Sequence, residues 1–316
     1  MACAWESSTS GPTPATCSWW TPTAAPAPLP ASSFKQPLRL AEHLDDAGAV
    51  TPEGVDALTR FVADAVRVAE ERGCEDMLAF ATSAVRDAVN SDEVLAHVEA
   101  STGVELAVLS GGDEARLTFL AVRRWFGWSA GRLAVFDIGG GSLEIAGGAD
   151  EAPDVAWSMP IGAARLARSY FAAGTPTEDD VRRIRHEIRV EIARDAGKLL
   201  RAGRPDRAVA TSKTFRSIAR ICGAAPSGAG PLVPRVLDGD VLRSKLPALL
   251  TMSVDELATL PGVSASRAHQ VVPGALVAEA CLDIFDLPAL EICPWALREG
   301  VILERLDQLS VLGNSQ

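Results

Sequence analysis

Four short stretches of this sequence carry residue types that handle phosphate. The strongest is Asp137-Ile138-Gly139-Gly140-Gly141-Ser142-Leu143-Glu144, directly after the apolar run Leu133-Ala134-Val135-Phe136. Three consecutive glycines have no Cβ, so their backbone N–H groups can come within hydrogen-bond reach of phosphate oxygens. An aspartate at a strand end can hold a divalent cation, directly or through water. Ser142 offers a hydroxyl, and Glu144 shares its side of the strand because strand side chains alternate. Without the flanking carboxylates the same glycines would read as a plain hairpin turn.

The second stretch is Ser110-Gly111-Gly112-Asp113-Glu114-Ala115-Arg116-Leu117. A Gly-Gly turn there presents two carboxylates at a helix N-terminus, where the helix dipole stabilises negative charge. Such a carboxylate can orient or deprotonate a water, although by itself the cluster also reads as a simple cap. The third is Thr82-Ser83-Ala84-Val85-Arg86-Asp87, two hydroxyls and an arginine after a buried strand; arginine can grip phosphate with two parallel hydrogen bonds. The fourth, Thr211-Ser212-Lys213-Thr214-Phe215-Arg216, repeats hydroxyl and cation after a strand. Either could be structural alone. Four strand-to-loop junctions of one kind support each other, since ligands of α/β sheets sit at the carboxyl ends of strands. His43, His97, His186 and His269 show no metal-ligand spacing, and G-x-S-x-G, Walker A and H-E-x-x-H patterns are absent.

The elements that must position these residues alternate between strand and helix. Thr51-Pro52-Glu53-Gly54 predicts a capped helix to about Arg72. Strands are expected at 76–81, 104–109, 133–136, 143–146, 208–210 and 290–293, with helices between them, which means α/β layers. No sequence repeat of fixed period appears. The 316 residues suffice for two domains of roughly 100–200 residues each. A net charge of −11 argues against non-specific nucleic-acid binding but leaves a small phosphate site open. No apolar run approaches the ~20 residues of a membrane span. Six scattered cysteines form no C-x-x-C pair, and no basic residue precedes Lys35, so a reduced, cytoplasmic protein is expected.

Taken together, these motifs resemble the exopolyphosphatase / guanosine-pentaphosphate phosphatase (Ppx/GppA) family, in its short actinobacterial type. The resemblance rests on ATSAVRDAVN at 81–90, the stretches at 110–117 and 137–144, SMPIGAARL at 158–166, LPGVSASRAHQ at 260–270 and EICPWALREGVILE at 291–304. It implies the two-lobed actin-like, sugar-kinase and Hsp70 ATPase (ribonuclease H-like) superfold, with lobes at 29–130 and 131–316. Glu114 would be the catalytic carboxylate that positions or activates water, with Glu144 as a second carboxylate beside the phosphate loop. Asp137 would be the Mg²⁺-associated aspartate. Gly139, Gly140, Gly141 and Ser142 would form the phosphate cradle, and Arg86, Thr211 and Ser212 would touch substrate phosphate. The implied reaction releases orthophosphate from the end of polyphosphate. Two alternatives remain open: removal of the 5′-γ-phosphate of guanosine pentaphosphate, and a non-catalytic sensor of alarmone or polyphosphate. A homodimer is also left open.

One departure from the family concerns residues 1–28. The family opens with a strand and a first phosphate loop, D-x-G-S-N-[ST], which this sequence lacks. Residues 1–30 instead hold 6 of the 20 prolines and 3 of the 7 tryptophans, with no strand or helix period, and at face value read as a disordered leader. Of the 30 basic residues only Lys35, Lys198, Lys213 and Lys245 are lysine, which suggests a GC-rich gene. A GC-rich codon choice for Ala2 to Pro22, read from the third base of the Ala2 codon, translates as VRLGVLDVGSNTCHLLVVDA. That string is an apolar strand, the missing loop and a second strand. A reading-frame error over about residues 2–27 is therefore expected, leaving the chain poorly stable and catalytically impaired.

Overall fold

The computed structural model describes residues 2–7, 14–20, 32–38, 40–45, 47–74, 76–81, 83–171 and 176–313. Thr82 and most of the region 8–31 lie outside them. The chain forms two compact units, one of Met1–Ser110 with Arg298–Gln316 and one of Gly111–Leu297. These units divide elsewhere than the lobes read from sequence. The helix starting at Gly111 belongs to the second unit, and the residues from Arg298 belong to the first.

The first unit contains β1 (Ala2–Ser7), β2 (Pro14–Trp20), β3 (Ser32–Pro37), α1 (Pro52–Glu71), β4 (Asp76–Ala81), α2 (Ser83–Arg86), α3 (Ser91–Thr102) and β5 (Ala107–Val108). Its sheet runs β3-β2-β1-β4-β5. β1 to β3 form an antiparallel meander, and β1, β4 and β5 run parallel. Two strands thus lie in the leader that the sequence reading left disordered. Backbone pairing accounts for this: ladder bonds need no particular side chain, and Pro14 stands at the first residue of its strand, where proline is tolerated. The expected strand at 104–109 pairs only over Ala107–Val108. Helix α1 starts as predicted, with Pro52 in its first turn and the Thr51 hydroxyl accepting from Gly54 N at 3.3 Å. Its apolar face buries Leu58, Phe61, Val62 and Ala65 against Val85 and Val98.

The second unit holds α4 (Gly111–Phe126), β6 (Leu133–Ile138), β7 (Leu143–Gly148), β8 (Val155–Met159), α5 (Ala163–Tyr170), α6 (Glu178–Arg201), β9 (Arg207–Thr211), α7 (Ser212–Ile221), β10 (Val236–Asp238), α8 (Gly239–Thr251), α9 (Val254–Ala258), α10 (Val271–Ile284) and β11 (Ala289–Ile292). The last helix, α11 (Leu297–Gly313), lies almost wholly in the first unit. The sheet order is β10-β11-β9-β6-β7-β8. Here too a meander, β6-β7-β8, continues into parallel strands, β9 and β11. The two units therefore share one topology without a sequence repeat. Strands β6 and β7 are buried along nearly their whole length under α5, α6, α7 and α10, whose apolar residues form one core with them.

Arg123 fixes α4 to this sheet. It is only 1% exposed, and its guanidinium donates to the carbonyls of Gly131 at 2.8 Å, Gly148 at 3.1 Å and Asp150 at 3.1 Å. Gly131 precedes β6 and Gly148 ends β7, so one buried cation ties the far end of α4 to both strands at the open end of that hairpin. Among the described residues, no helix is long and apolar enough to cross a membrane.

Candidate active site

The register of four strands assembles the site. Thr211 of β9 is paired with Asp137 of β6, Asp137 with Glu144 of β7, and Glu144 with Ser158 of β8. Directly paired residues point to the same face of a sheet. A polar row, Thr211-Asp137-Glu144-Ser158, therefore crosses an otherwise apolar sheet. The rows beside it are apolar: Ile138, Leu143 and Met159 on one side, Phe136, Ile145 and Trp157 on the other. Two carboxylates opposite one another repel unless a cation or proton lies between them. Ser158 Oγ donates to Glu144 Oε1 at 2.7 Å and fixes that carboxylate. The other oxygen, Oε2, hangs over the glycine turn, 3.7 Å from where a Cβ on Gly139 would stand.

The turn between β6 and β7 is held from below by α5. Ala163 N donates to Gly139 O at 3.0 Å, Ala164 N to Gly140 O at 2.9 Å, and Gly162 N to Gly141 O at 3.2 Å. Arg165 adds its backbone N to Gly140 O at 2.9 Å and its side-chain Nε to Gly141 O at 3.0 Å. The N–H groups that a helix N-terminus leaves unpaired thus take up all three glycine carbonyls. With the carbonyls engaged, the amides of Gly140, Gly141 and Ser142 have no acceptor among the described residues. Buried amides without an acceptor are costly, by about 1–3 kcal/mol each, and Gly140, Gly141 and Ser142 are buried while Asp137 and Gly139 are half-buried. Gly162 must be glycine: a Cβ would fall 2.3 Å from Ser142 N and 2.4 Å from Gly140 C and O.

Glu114 stands in the first turn of α4 and is 6% exposed. Gly111, three residues earlier on the same helix face, meets the polar row, since a Cβ there would lie 2.5 Å from Ser158 Cβ. The structure therefore gathers Asp137, Gly139, Gly140, Gly141, Ser142 and Glu144 around one turn, with Glu114 in the same unit on the helix whose first residue abuts the polar row.

The other expected residues fare differently. Thr211 takes its place in the row, but its hydroxyl donates to Trp295 O at 2.7 Å, so that proton is engaged in holding the fold. Ser212 has φ +82°, an uncommon backbone state for a residue with a side chain, of the kind that collects at functional sites. Its Oγ accepts from Phe215 N at 3.3 Å and caps α7, leaving the hydroxyl proton to point elsewhere. Arg86 lies in the first unit, where Nη1 donates to Leu109 O at 3.0 Å and Nε pairs with Asp87 at 3.1 Å.

Two arginines belong to the site that the motifs did not single out. Arg267 donates to Thr214 Oγ1 at 3.2 Å, and Arg216 Nε donates to Ser212 O at 3.0 Å. Burial pushes the Arg267 guanidinium down to about 10, the charge of Arg216 pushes the same way, and Asp137 opposes both. Arg216 closes the fourth sequence stretch and Arg267 lies in the family stretch 260–270, 130 positions from Asp137; neither stretch by itself assigns the arginine a role.

Comparison with known proteins identifies the family. Exopolyphosphatase 1 of Mycobacterium tuberculosis is 52% identical over 278 residues, covering 88% of this chain and 81% of that protein. The Mycobacterium leprae protein of the same name is 50% identical over 278 residues, with coverage of 88% and 82%. An exopolyphosphatase from Cytophaga hutchinsonii superposes with a TM-score of 0.83 at 20% identity, covering 97% of this chain and 98% of that one. An Aquifex aeolicus Ppx/GppA family member gives 0.80 at 21% identity, covering 97% of each. These last two likenesses establish the fold, the actin-like, sugar-kinase and Hsp70 superfold implied by the motifs. The Ppx/GppA phosphatase family pattern matches residues 27–309. Since that span takes in both units and every residue of the polar row, this chain belongs to the Ppx/GppA phosphatase family.

Proposed function

We propose that the chain is an exopolyphosphatase, hydrolysing the terminal phosphoanhydride of polyphosphate to orthophosphate. The observation that carries this reading is the β6–β7 turn, with three carbonyls bonded to α5 and the next three amides left without acceptors beside two paired carboxylates. The named activity of its mycobacterial relatives supports it. The amides of Gly140, Gly141 and Ser142 receive oxygens of the terminal phosphoryl group, and Arg216 and Arg267 balance the charge of the chain. Glu114 holds a water in line with the bridging oxygen and takes its proton. The water oxygen bonds to the terminal phosphorus, the bridging P–O bond breaks, and the shortened chain leaves with that oxygen.

Asp137 and Glu144 suit Mg²⁺. Among the described residues no group of three or more His, Cys, Asp or Glu closes into a protein-only cage, and Mg²⁺ is usually held by one or two carboxylates plus substrate phosphate and water. Bound there, Mg²⁺ would neutralise charge on the phosphoryl oxygens. A cytoplasmic location is supported by the reduced thiols of Cys74, Cys222 and Cys281.

We also propose that residues 2–27 are an out-of-frame translation. The family match begins at residue 27, where the frame is expected to recover. In addition, β1 and β2 hold the places in the first sheet that β6 and β7 hold in the second, and the out-of-frame string puts its D-x-G-S-N-T turn between those two strands. Sequencing the start of the gene tests this; an intact reading frame encoding these residues refutes it.

The functional test is orthophosphate release from polyphosphate, with and without Mg²⁺, by this chain and by a frame-repaired chain carrying VRLGVLDVGSNTCHLLVVDA in place of residues 3–22. Release by the repaired chain that needs Mg²⁺ is expected. Faster release from guanosine pentaphosphate would reassign the substrate, and polyphosphate binding without release from either substrate would make the protein a sensor.

A further inference from the structure

The second unit contains a cavity of about 420 Å³ that the catalytic reading does not use. Its walls are mostly apolar, with Phe171, Leu250, Met252 and Leu257 among them, and Arg168 and His269 supply the basic groups. That volume suits a small organic molecule rather than a peptide or a metal ion.

Arg168 distinguishes the cavity. Among the described residues no carboxylate pairs with it, and the charge acting on it comes from Arg165. Four arginines of the neighbouring helix α6, Arg182, Arg183, Arg185 and Arg189, instead pair with Asp179, Asp180, Glu279 and Asp283. Arg123 and Arg235 also pair with no acid among the described residues, but both spend their donors on backbone carbonyls; what sets Arg168 apart is its place on the wall of an apolar cavity. Although Arg168 as a residue is exposed, crowding round its guanidinium lowers its pKa, and Arg165 lowers it further. An anion would relieve both effects.

The walls also reach the phosphate site. Arg168 lies on α5, one turn after Arg165, whose Nε holds Gly141 O. His269 lies two residues after Arg267, on the 3-10 helix Ala265–Gln270. Two of the cavity's walls thus each carry a residue that touches the phosphate turn or faces Asp137.

We propose that this cavity binds a small amphipathic anion, a compact apolar body with one acidic end group seated on Arg168, and that its occupancy shifts α5 and so tunes the phosphate turn. The tuning half rests on the proposed phosphatase reading; the binding half does not.

The test uses 8-anilinonaphthalene-1-sulfonate, an aromatic body with one sulfonate, titrated into the full chain and followed by fluorescence. One saturable site is expected. Arg168→Gln should weaken it by about tenfold, as should replacing the probe with the neutral N-phenyl-1-naphthylamine. Leu257→Trp, which fills the cavity, should abolish it. Equal binding by the neutral probe, or by Arg168→Gln, overturns the anion site. With the site saturated, the KM for polyphosphate should change in the frame-repaired chain but not in its Arg168→Gln variant; an unchanged KM overturns the tuning. A frame-repaired chain that binds the probe as expected but hydrolyses nothing sinks the phosphatase reading instead.

Discussion

The two sheets of this protein share one order over five strands, the second adding β10 at its edge, but only one has a first turn with the residues to hold phosphate. In the second unit, β6 leads through Asp137 and three glycines into β7, and α5 takes up the turn's carbonyls. In the first unit, the connection from β1 to β2 is Ser8-Thr9-Ser10-Gly11-Pro12-Thr13, with no carboxylate and a single glycine. The strands on either side still pair, β2 with β1 and β1 with β4. A sheet is held by backbone groups that nearly every residue provides, so its topology survives a poor sequence. An anion turn needs particular residues at particular positions, because a Cβ or a lost amide removes it outright.

Four experiments would break or sharpen this contrast. In the frame-repaired chain, Glu114→Gln should lower orthophosphate release by about 10⁴-fold, the upper range for a lost general base, with the melting temperature unchanged. Release that survives the change would remove Glu114 from the mechanism. Repair itself should raise kcat/KM by about 10³-fold over the unrepaired chain, since several phosphate donors are restored at once, and should raise the melting temperature. If repair changes neither, the contrast between the two turns has no functional meaning.

Smaller effects probe the intact turn. Gly162→Ala should lower kcat/KM by about 10²-fold, because its Cβ meets backbone atoms of Gly140 and Ser142 that cannot move aside. Gly228→Ala, where a Cβ meets nothing within 4 Å, should leave the rate unchanged. Comparable rates for both variants would show that α5 does not shape the site. Ser158→Ala frees Glu144 Oε1 and should raise the Mg²⁺ needed for half-maximal rate by about tenfold. A Mg²⁺ dependence like the parent's would mean that Glu144 does not face the metal.

Much of the framework was legible because its causes are local. The Thr51-Pro52 cap placed α1, the apolar run before Asp137 placed β6, and the charged run over about 177–201 reads as the helix α6, whose Thr177–Asp180 capping box the structure contains. Strands β8 and β10 escaped notice: five and three residues long, they are too short for a period to register. The leader strands escaped for another reason, since they carry no strand period and their pairing comes from neighbouring backbone.

The sequence by itself determined the chemical inventory: a glycine turn between carboxylates, a helix-start glutamate, and the family these motifs resemble. Those signals are short-range, so residue types and spacing carry them. Only the tertiary structure decided that Thr211, Asp137, Glu144 and Ser158 stand in one row, that α5 takes up the turn's carbonyls, that Trp295 engages Thr211, and that Arg267 faces Asp137. Each of these depends on register or packing between segments far apart in the chain, where the partner's position is set by the whole core and not by the residues on either side.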